Sequence, residues 1–207
     1  MRLTQYYIRT FRPRFYAALT RLFYSGRNVQ FGRDFLCDSI PKIMIDRGAT
    51  LKIGEKVELR RNVEIRVHQN SKIEIGSNVR IDRGVRLLTT NTAELHLEEG
   101  VRVGLYTVFN GGDSIRVGAK SLISGFVYLQ TSMHGFKDRS QNVQNQGYDH
   151  APIKLGKDCW LGTHVVILPG VELGQGVVVG SNAVVTKSAE DYKVIGGIPA
   201  KVLKERT

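Results

Sequence analysis

Cysteine is nearly missing from the chain. The two present, Cys37 and Cys159, lie far apart in neither a CxxC spacing nor a secreted framework. A disulfide scaffold and a cysteine-held zinc site are therefore excluded, and reduced thiols in a cytoplasmic protein are expected. Proline is scarce at 5 residues, and the 22 glycines keep no every-third pattern, which rules out collagen-like and low-complexity organisation. The glycines are left as markers of repeated turns. No run approaches the roughly 18 uninterrupted apolar residues of a membrane span. The most apolar N-terminal stretch, 15–24, is broken by Thr20 and Arg21 and followed by no small-residue cleavage site, so no signal peptide is expected. Glycine-rich phosphate loops of the P-loop or dinucleotide kind are also missing.

Acids and lysines are missing from residues 1–33, which hold seven arginines and so seven of the net eleven positive charges. Nine of the 17 aromatics fall in residues 1–35, so this segment joins a basic face to large amphipathic rings. Two readings follow. The favoured one is a helical cap that closes the end of a repeat domain with its aromatics. The other is a surface arm, residues 1–33, touching the inner face of the cell membrane. A basic arm without a recognition motif gives no reason to expect a nucleic-acid partner.

What is present in abundance is a period. Aliphatics recur six apart at Leu155, Leu161, Ile167, Leu173, Val179 and Val185. Small or β-branched residues stand four further on at Cys159, Val165, Val171, Val177 and Ala183, and glycine follows the aliphatic at Gly156, Gly162, Gly174 and Gly180. Earlier in the chain a longer unit repeats at Leu51/Ile53/Val57/Leu59, Ile73/Ile75/Val79/Ile81 and Leu95/Leu97/Val101/Val103, a step of 22 residues. An α-helix keeps neither period. Three hexapeptides give a three-sided coil of 18 residues, and four more make a corner insertion. Short extended flanks with alternate residues pointing inward, joined by tight corners, predict six stacked coils of triangular section. The prism is expected over 46–187, with the cap or arm over 1–45 and a tail over 188–207. The lattice breaks severely once, over 130–152, a polar excursion of the kind that is usually functional.

The lattice, the phrase IKLGKDCWLGTHVVILPGVELGQGVVVGSNAVVTK and the ending VIGGIPAKVLKER resemble the hexapeptide-repeat acyltransferases, in the branch of galactoside, maltose and polysaccharide sugar O-acetyltransferases. The likeness is specific from about Val103 to Arg206. It implies an all-β fold, a single-stranded left-handed parallel β-helix with an N-terminal helical cap and a short C-terminal segment. It further implies a homotrimer with active sites between neighbouring prisms, acetyl-CoA as co-substrate, and a sugar or glycan hydroxyl as acceptor in surface polysaccharide biosynthesis. A cytoplasmic enzyme, peripheral at the inner face of the membrane if residues 1–33 bind there, fits that setting.

The same resemblance places individual residues. His134, at the start of the excursion, stands where the family has its general base. Acetyl transfer to a hydroxyl needs such a group, because an alkoxide does not exist at pH 7, and a neutral imidazole suits the task. His150 is the reserve candidate, and His164 is open between surface and cofactor contact. Asn110 resembles the acceptor-binding asparagine, with a turn in Asn-Gly-Gly as the alternative, and Asp113 stands beside it. Trp160, the only tryptophan, points outward at the position that lines the cofactor and acceptor cleft in the family, with packing at the trimer interface as the alternative. Thr163, Ser181, Thr186 and Lys187 match contacts to the cofactor, and Lys201 and Lys204 match the cations at its phosphates. Cys159 sits on the inward track and is read as core. No catalytic metal is expected, since no two histidines have the H-x4-H spacing of the carbonic anhydrases that share this prism. N-acetylation of a nucleotide-linked amino sugar and a non-catalytic β-helix scaffold remain the rival readings.

Overall fold

Alternate residues of a short extended segment face opposite ways, so a chain that places an aliphatic at every inward position can wind into stacked coils around an apolar axis. The computed structural model of the protein, which describes residues 3–207, has this form. Met1 and Arg2, the start of the basic arm, lie outside the described residues. Three parallel sheets run the length of a β-solenoid, and each coil contributes one strand to each face.

The register explains the repeat. On the first face Phe31, Ile53, Ile75, Leu97, Val117, Leu155 and Leu173 stand in one column. The second face aligns Cys37, Leu59, Ile81, Val103, Ile123, Leu161, Val179 and Ile195. The third aligns Ile43, Ile65, Leu87, Phe109, Leu129, Ile167 and Val185. All but Phe31 are buried, and Phe31 packs against the others from its half-buried position.

Seven coils are present among the described residues, one more than the sequence pattern predicts. The added coil is the first, with strands Val29–Phe31, Leu36–Cys37 and Lys42–Ile45, so the prism begins near residue 29 where 46 is expected. Residues 3–24 form a helix, with α-helical turns over Leu3–Tyr6 and Arg12–Tyr24 and a π-helical segment over Tyr7–Phe11 between them. Pro13, Ala17 and Thr20 are its buried residues. Ala17 joins the core, and the Thr20 hydroxyl lies 3.4 Å from Cys37 Sγ, so the helix covers the open end of the first coil. Arg21 fixes it there by donating to the carbonyls of Phe31 and Gly32, at 3.3 and 2.5 Å. At the far end, Lys193–Gly197 extends the second face and Ala200–Glu205 pairs with it antiparallel.

Corners between the second and third faces carry left-handed residues. Tyr106, Phe126 and His164 have φ of 53°, 59° and 58°, and their rings stack outside the prism with centroids 5.6 and 4.9 Å apart. Gly84 lies beneath the Tyr106 ring, where any Cβ would collide with it. Ring stacking of this kind contributes about 0.5–1.5 kcal/mol per pair and offsets part of the backbone cost.

Candidate active site

The excursion leaves the edge where the third face turns into the first, and its two ends pair. Ser132–His134 and Tyr148–His150 form an antiparallel stem in which Ser132 stands opposite His150 and His134 opposite Tyr148. His134 is exposed, and its ring lies against Tyr148 with centroids 4.1 Å apart. Ser132 Oγ lies 2.9 Å from His150 Nδ1. Both sit over Gly112, where a Cβ would run into the Ser132 hydroxyl and come within 2.8 Å of His150 Nδ1. Beyond the stem, Asp138 ties the loop together. Its carboxylate accepts from the Ser140 hydroxyl at 2.7 Å, the Ser140 N–H at 2.8 Å and the Gln141 amide at 2.8 Å, and these bonds hold its pKa below the ordinary value. The excursion is thus an ordered hairpin.

The same edge carries four further residues named from the sequence. Asn110 lies on the strand Val108–Gly111 and outside any turn, pairing with Gln130, and its amide donates to the Tyr128 hydroxyl at 3.2 Å. Asp113 is a corner residue whose carboxylate accepts from the Ser114 N–H at 2.6 Å. Thr186 and Lys187 follow the last strand of the third face, Val184–Val185, two coils beyond the hairpin.

The remaining candidates occupy a different edge, where the second face turns into the third. Trp160 is half exposed on the second face beside Leu122 and Val178, and its indole N–H points to Ser124 Oγ at 3.3 Å. Next to this column the register sets Gly104, Ser124, Gly162, Gly180 and Gly196 one above another, a strip of backbone with almost no side chains. Thr163 and Ser181 border the strip, Thr163 donating to the Gly125 carbonyl at 2.9 Å. The strip ends where Gly196 pairs with Lys201, and Lys204 pairs with Val194 close by. His164 lies next to Thr163, its Nδ1 3.1 Å from that hydroxyl. Cys159 is buried, its thiol pushed up to about 11 by burial, which suits a core residue and not a nucleophile.

Two groups of residues therefore emerge on two edges of one prism. His134, Asn110, Asp113, Thr186 and Lys187 share one; Trp160, Thr163, Ser181, Lys201 and Lys204 share the other. Sequence reasoning does not find Ser132, Tyr148, Tyr128 or Gly112, whose roles depend on pairings across the hairpin and between coils.

A family model described as bacterial transferase hexapeptide, six repeats, matches residues 152–187. The match falls on the coils whose register has just been described. The chain is a hexapeptide-repeat protein. Among the relatives of this hexapeptide-repeat protein is WbbJ of Escherichia coli, named for O-acetyl transfer in lipopolysaccharide biosynthesis, 30% identical over 58% of this chain and 65% of the relative. WcaF of the same organism, named for acetyl transfer in colanic acid biosynthesis, is 38% identical over 52% of this chain and 54% of the relative. A Mycobacterium tuberculosis protein named as a probable acetyltransferase is 31% identical over 76% of this chain and 45% of the relative. The chain thus spans between 45% and 65% of the length of these relatives. Among solved structures, AntD of Bacillus cereus, an N-acyltransferase seen with dTDP and 3-hydroxybutyryl-CoA, has a TM-score of 0.63 at 22% identity, covering 86% of this chain and 83% of that one. A hexapeptide-repeat acetyltransferase of Vibrio cholerae, complexed with acetyl coenzyme A, has a TM-score of 0.52 at 20% identity, covering 98% and 82%. These two share the fold of the hexapeptide-repeat protein.

Proposed function

We propose that this protein is an O-acetyltransferase that carries an acetyl group from acetyl-CoA to a sugar hydroxyl during assembly of a surface polysaccharide. The observation that carries the reading is the hairpin stem, which holds an exposed imidazole, His134, on a rigid support beside a lattice of transferase type. The relatives named for O-acetyl transfer in polysaccharide biosynthesis support the choice of acceptor.

The strip Gly104–Ser124–Gly162–Gly180–Gly196 fits the long pantetheine arm of coenzyme A, since a linear chain needs a flat lane with backbone groups along it. Lys201 and Lys204 at its end suit the phosphates as mobile point charges, and Thr163 and Ser181 offer hydroxyls along the way. When bound, acetyl-CoA supplies an activated carbonyl and a thiol leaving group. His134 accepts the proton of the acceptor hydroxyl as its oxygen attacks, then returns a proton to the departing sulfur. Tyr148 holds the imidazole plane, and Asn110, steered by Tyr128, offers an amide to the sugar. Because the two residue groups lie on different edges, a closed cyclic assembly would join the hairpin edge of one copy to the strip edge of the next, and the family resemblance makes that assembly a homotrimer.

Calorimetric titration with acetyl-CoA tests the donor half without any guess about the acceptor. Saturable binding near one site per chain, weakened by Lys201→Ala, is expected. His134→Ala is expected to leave that binding intact and to lower kcat by roughly 10²–10⁴-fold with a sugar acceptor. Full activity in His134→Ala sinks the base assignment, and no binding up to roughly 1 mM, the upper end of ordinary KM values, favours a non-catalytic scaffold. An amino-sugar nucleotide used as parallel acceptor separates hydroxyl from amine transfer.

A further inference from the structure

The helix over residues 3–24 is apolar on two sides, and only one of them is used. Its inner side, Pro13, Ala17 and Thr20, closes the prism. On the opposite side Tyr7, Phe11, Phe15, Ala18 and Leu22 follow one another at steps of four, four, three and four, the spacing of a single stripe along a helix. All five are exposed: Tyr7 and Phe11 by 52%, Phe15 by 48% and Leu22 by 76%. The three rings form a continuous row, Tyr7 on Phe11 at 5.8 Å and Phe11 on Phe15 at 5.9 Å. A domain that merely needed a lid has no use for this stripe.

Charge identifies the occupant. The helix carries Arg9, Arg12, Arg14 and Arg21 and no acid, and Arg27 follows it. Arg21 is committed to the carbonyls of the first coil, whereas Arg9, Arg12, Arg14 and Arg27 have no carboxylate within ion-pair distance among the described residues. A stripe of aromatic and aliphatic side chains with unpaired guanidinium groups beside it is the arrangement of a helix lying in the plane of an anionic bilayer, rings in the acyl boundary and arginines at the phosphates. The same helix of a second copy carries the same positive charge and no acid, so two such helices would repel each other. Among the described residues no helix is long and apolar enough to cross a membrane.

We propose that residues 3–24 dock the protein onto an anionic phospholipid surface through the Tyr7–Phe11–Phe15–Ala18–Leu22 stripe, with the prism standing off the bilayer behind it. The test is co-sedimentation of the full chain with vesicles of phosphatidylcholine containing about a third phosphatidylglycerol, against vesicles of phosphatidylcholine alone. Binding to the anionic vesicles only, reduced at least tenfold by Phe11→Gln/Phe15→Gln/Leu22→Gln, is expected. Arg14→Gln is expected to lower the partition coefficient about fivefold, the ratio that corresponds to about 1 kcal/mol per basic residue at an anionic leaflet. Circular dichroism and gel filtration establish that the variants remain folded. Phe15→Trp supplies an independent reading, an emission shifted to the blue on anionic vesicles. The proposal is overturned by no binding of the wild type, by binding unchanged in the triple variant, or by wild-type self-association without lipid that the triple variant abolishes. None of these outcomes depends on acetyl transfer.

Discussion

Gly112 is the residue on which the hairpin rests. Its absent side chain leaves room for Ser132 Oγ and the His150 ring, and an added methyl has nowhere to go without moving one of them. Gly112→Ala is expected to cost about 1–3 kcal/mol, to leave the far-ultraviolet spectrum of the solenoid intact, and to lower the transferase rate at least tenfold as His134 shifts with its strand. Steady-state rates and thermal melts check this; an unchanged rate means that the stem does not orient the imidazole. The sequence singles out His134 because it sits at the break in a strict lattice and matches a family position. It does not single out Gly112, Ser132 and Tyr148, because each matters only through a partner: Ser132 and His150 face each other across a turn whose residues are polar and irregular. Asn110 was half legible, its place on a strand disagreeing with the turn that Asn-Gly-Gly suggests.

At the scale of the coil, legibility followed the chemistry of the inward positions. Six coils announce themselves because their inward residues are aliphatic. The first keeps the same spacing, Val29/Phe31/Phe35/Cys37, but fills it with two phenylalanines and a cysteine, since a terminal coil packs against a helix as well as a neighbouring coil. Outside the core the coils are joined by charge. Glu64 accepts from Arg66 at 2.6 and 2.8 Å and from Arg86 at 2.9 Å, and lies 3.1 Å from Lys42, linking three successive coils. Hydrogen bonds from Arg66, above all, hold its carboxyl down to about 2 from an ordinary 4.5. A group whose folded pKa is depressed contributes its full stability above the unfolded value and loses it as pH falls toward the folded one. The thermal midpoint is therefore expected to be level above about pH 5 and to fall between 4.5 and 2. With solvent screening allowed for, Glu64→Gln is expected to cost of order 1–2 kcal/mol at pH 7, a drop in midpoint of roughly 2–8 °C, and to flatten the acid limb. A melt series from pH 2 to 8 that shows the same acid limb in both proteins rejects the assignment.

The molecule as a whole behaves as a stack in which each coil touches only its neighbours, so its stability is close to a sum of coils and interfaces. Thr50 pairs with Lys72 and Ile53 with Ile75, so residues 50–71 form one removable period. Deleting them is expected to give a folded protein, about 4.8 Å shorter by small-angle scattering, with unchanged affinity for acetyl-CoA; an unfolded product contradicts the additive picture. The parallel register thereby makes the distance between the N-terminal helix and the hairpin a whole number of steps. From Lys42–Ile45 to Tyr128–Gln130 the third face rises by four strands, about 19 Å. Were the helix to lie on a bilayer as proposed, His134 would sit at a fixed altitude above the lipid phosphates. A saccharide tethered to that surface would then meet the imidazole only after its chain had grown to that height, and the coil count would set the shortest acceptor.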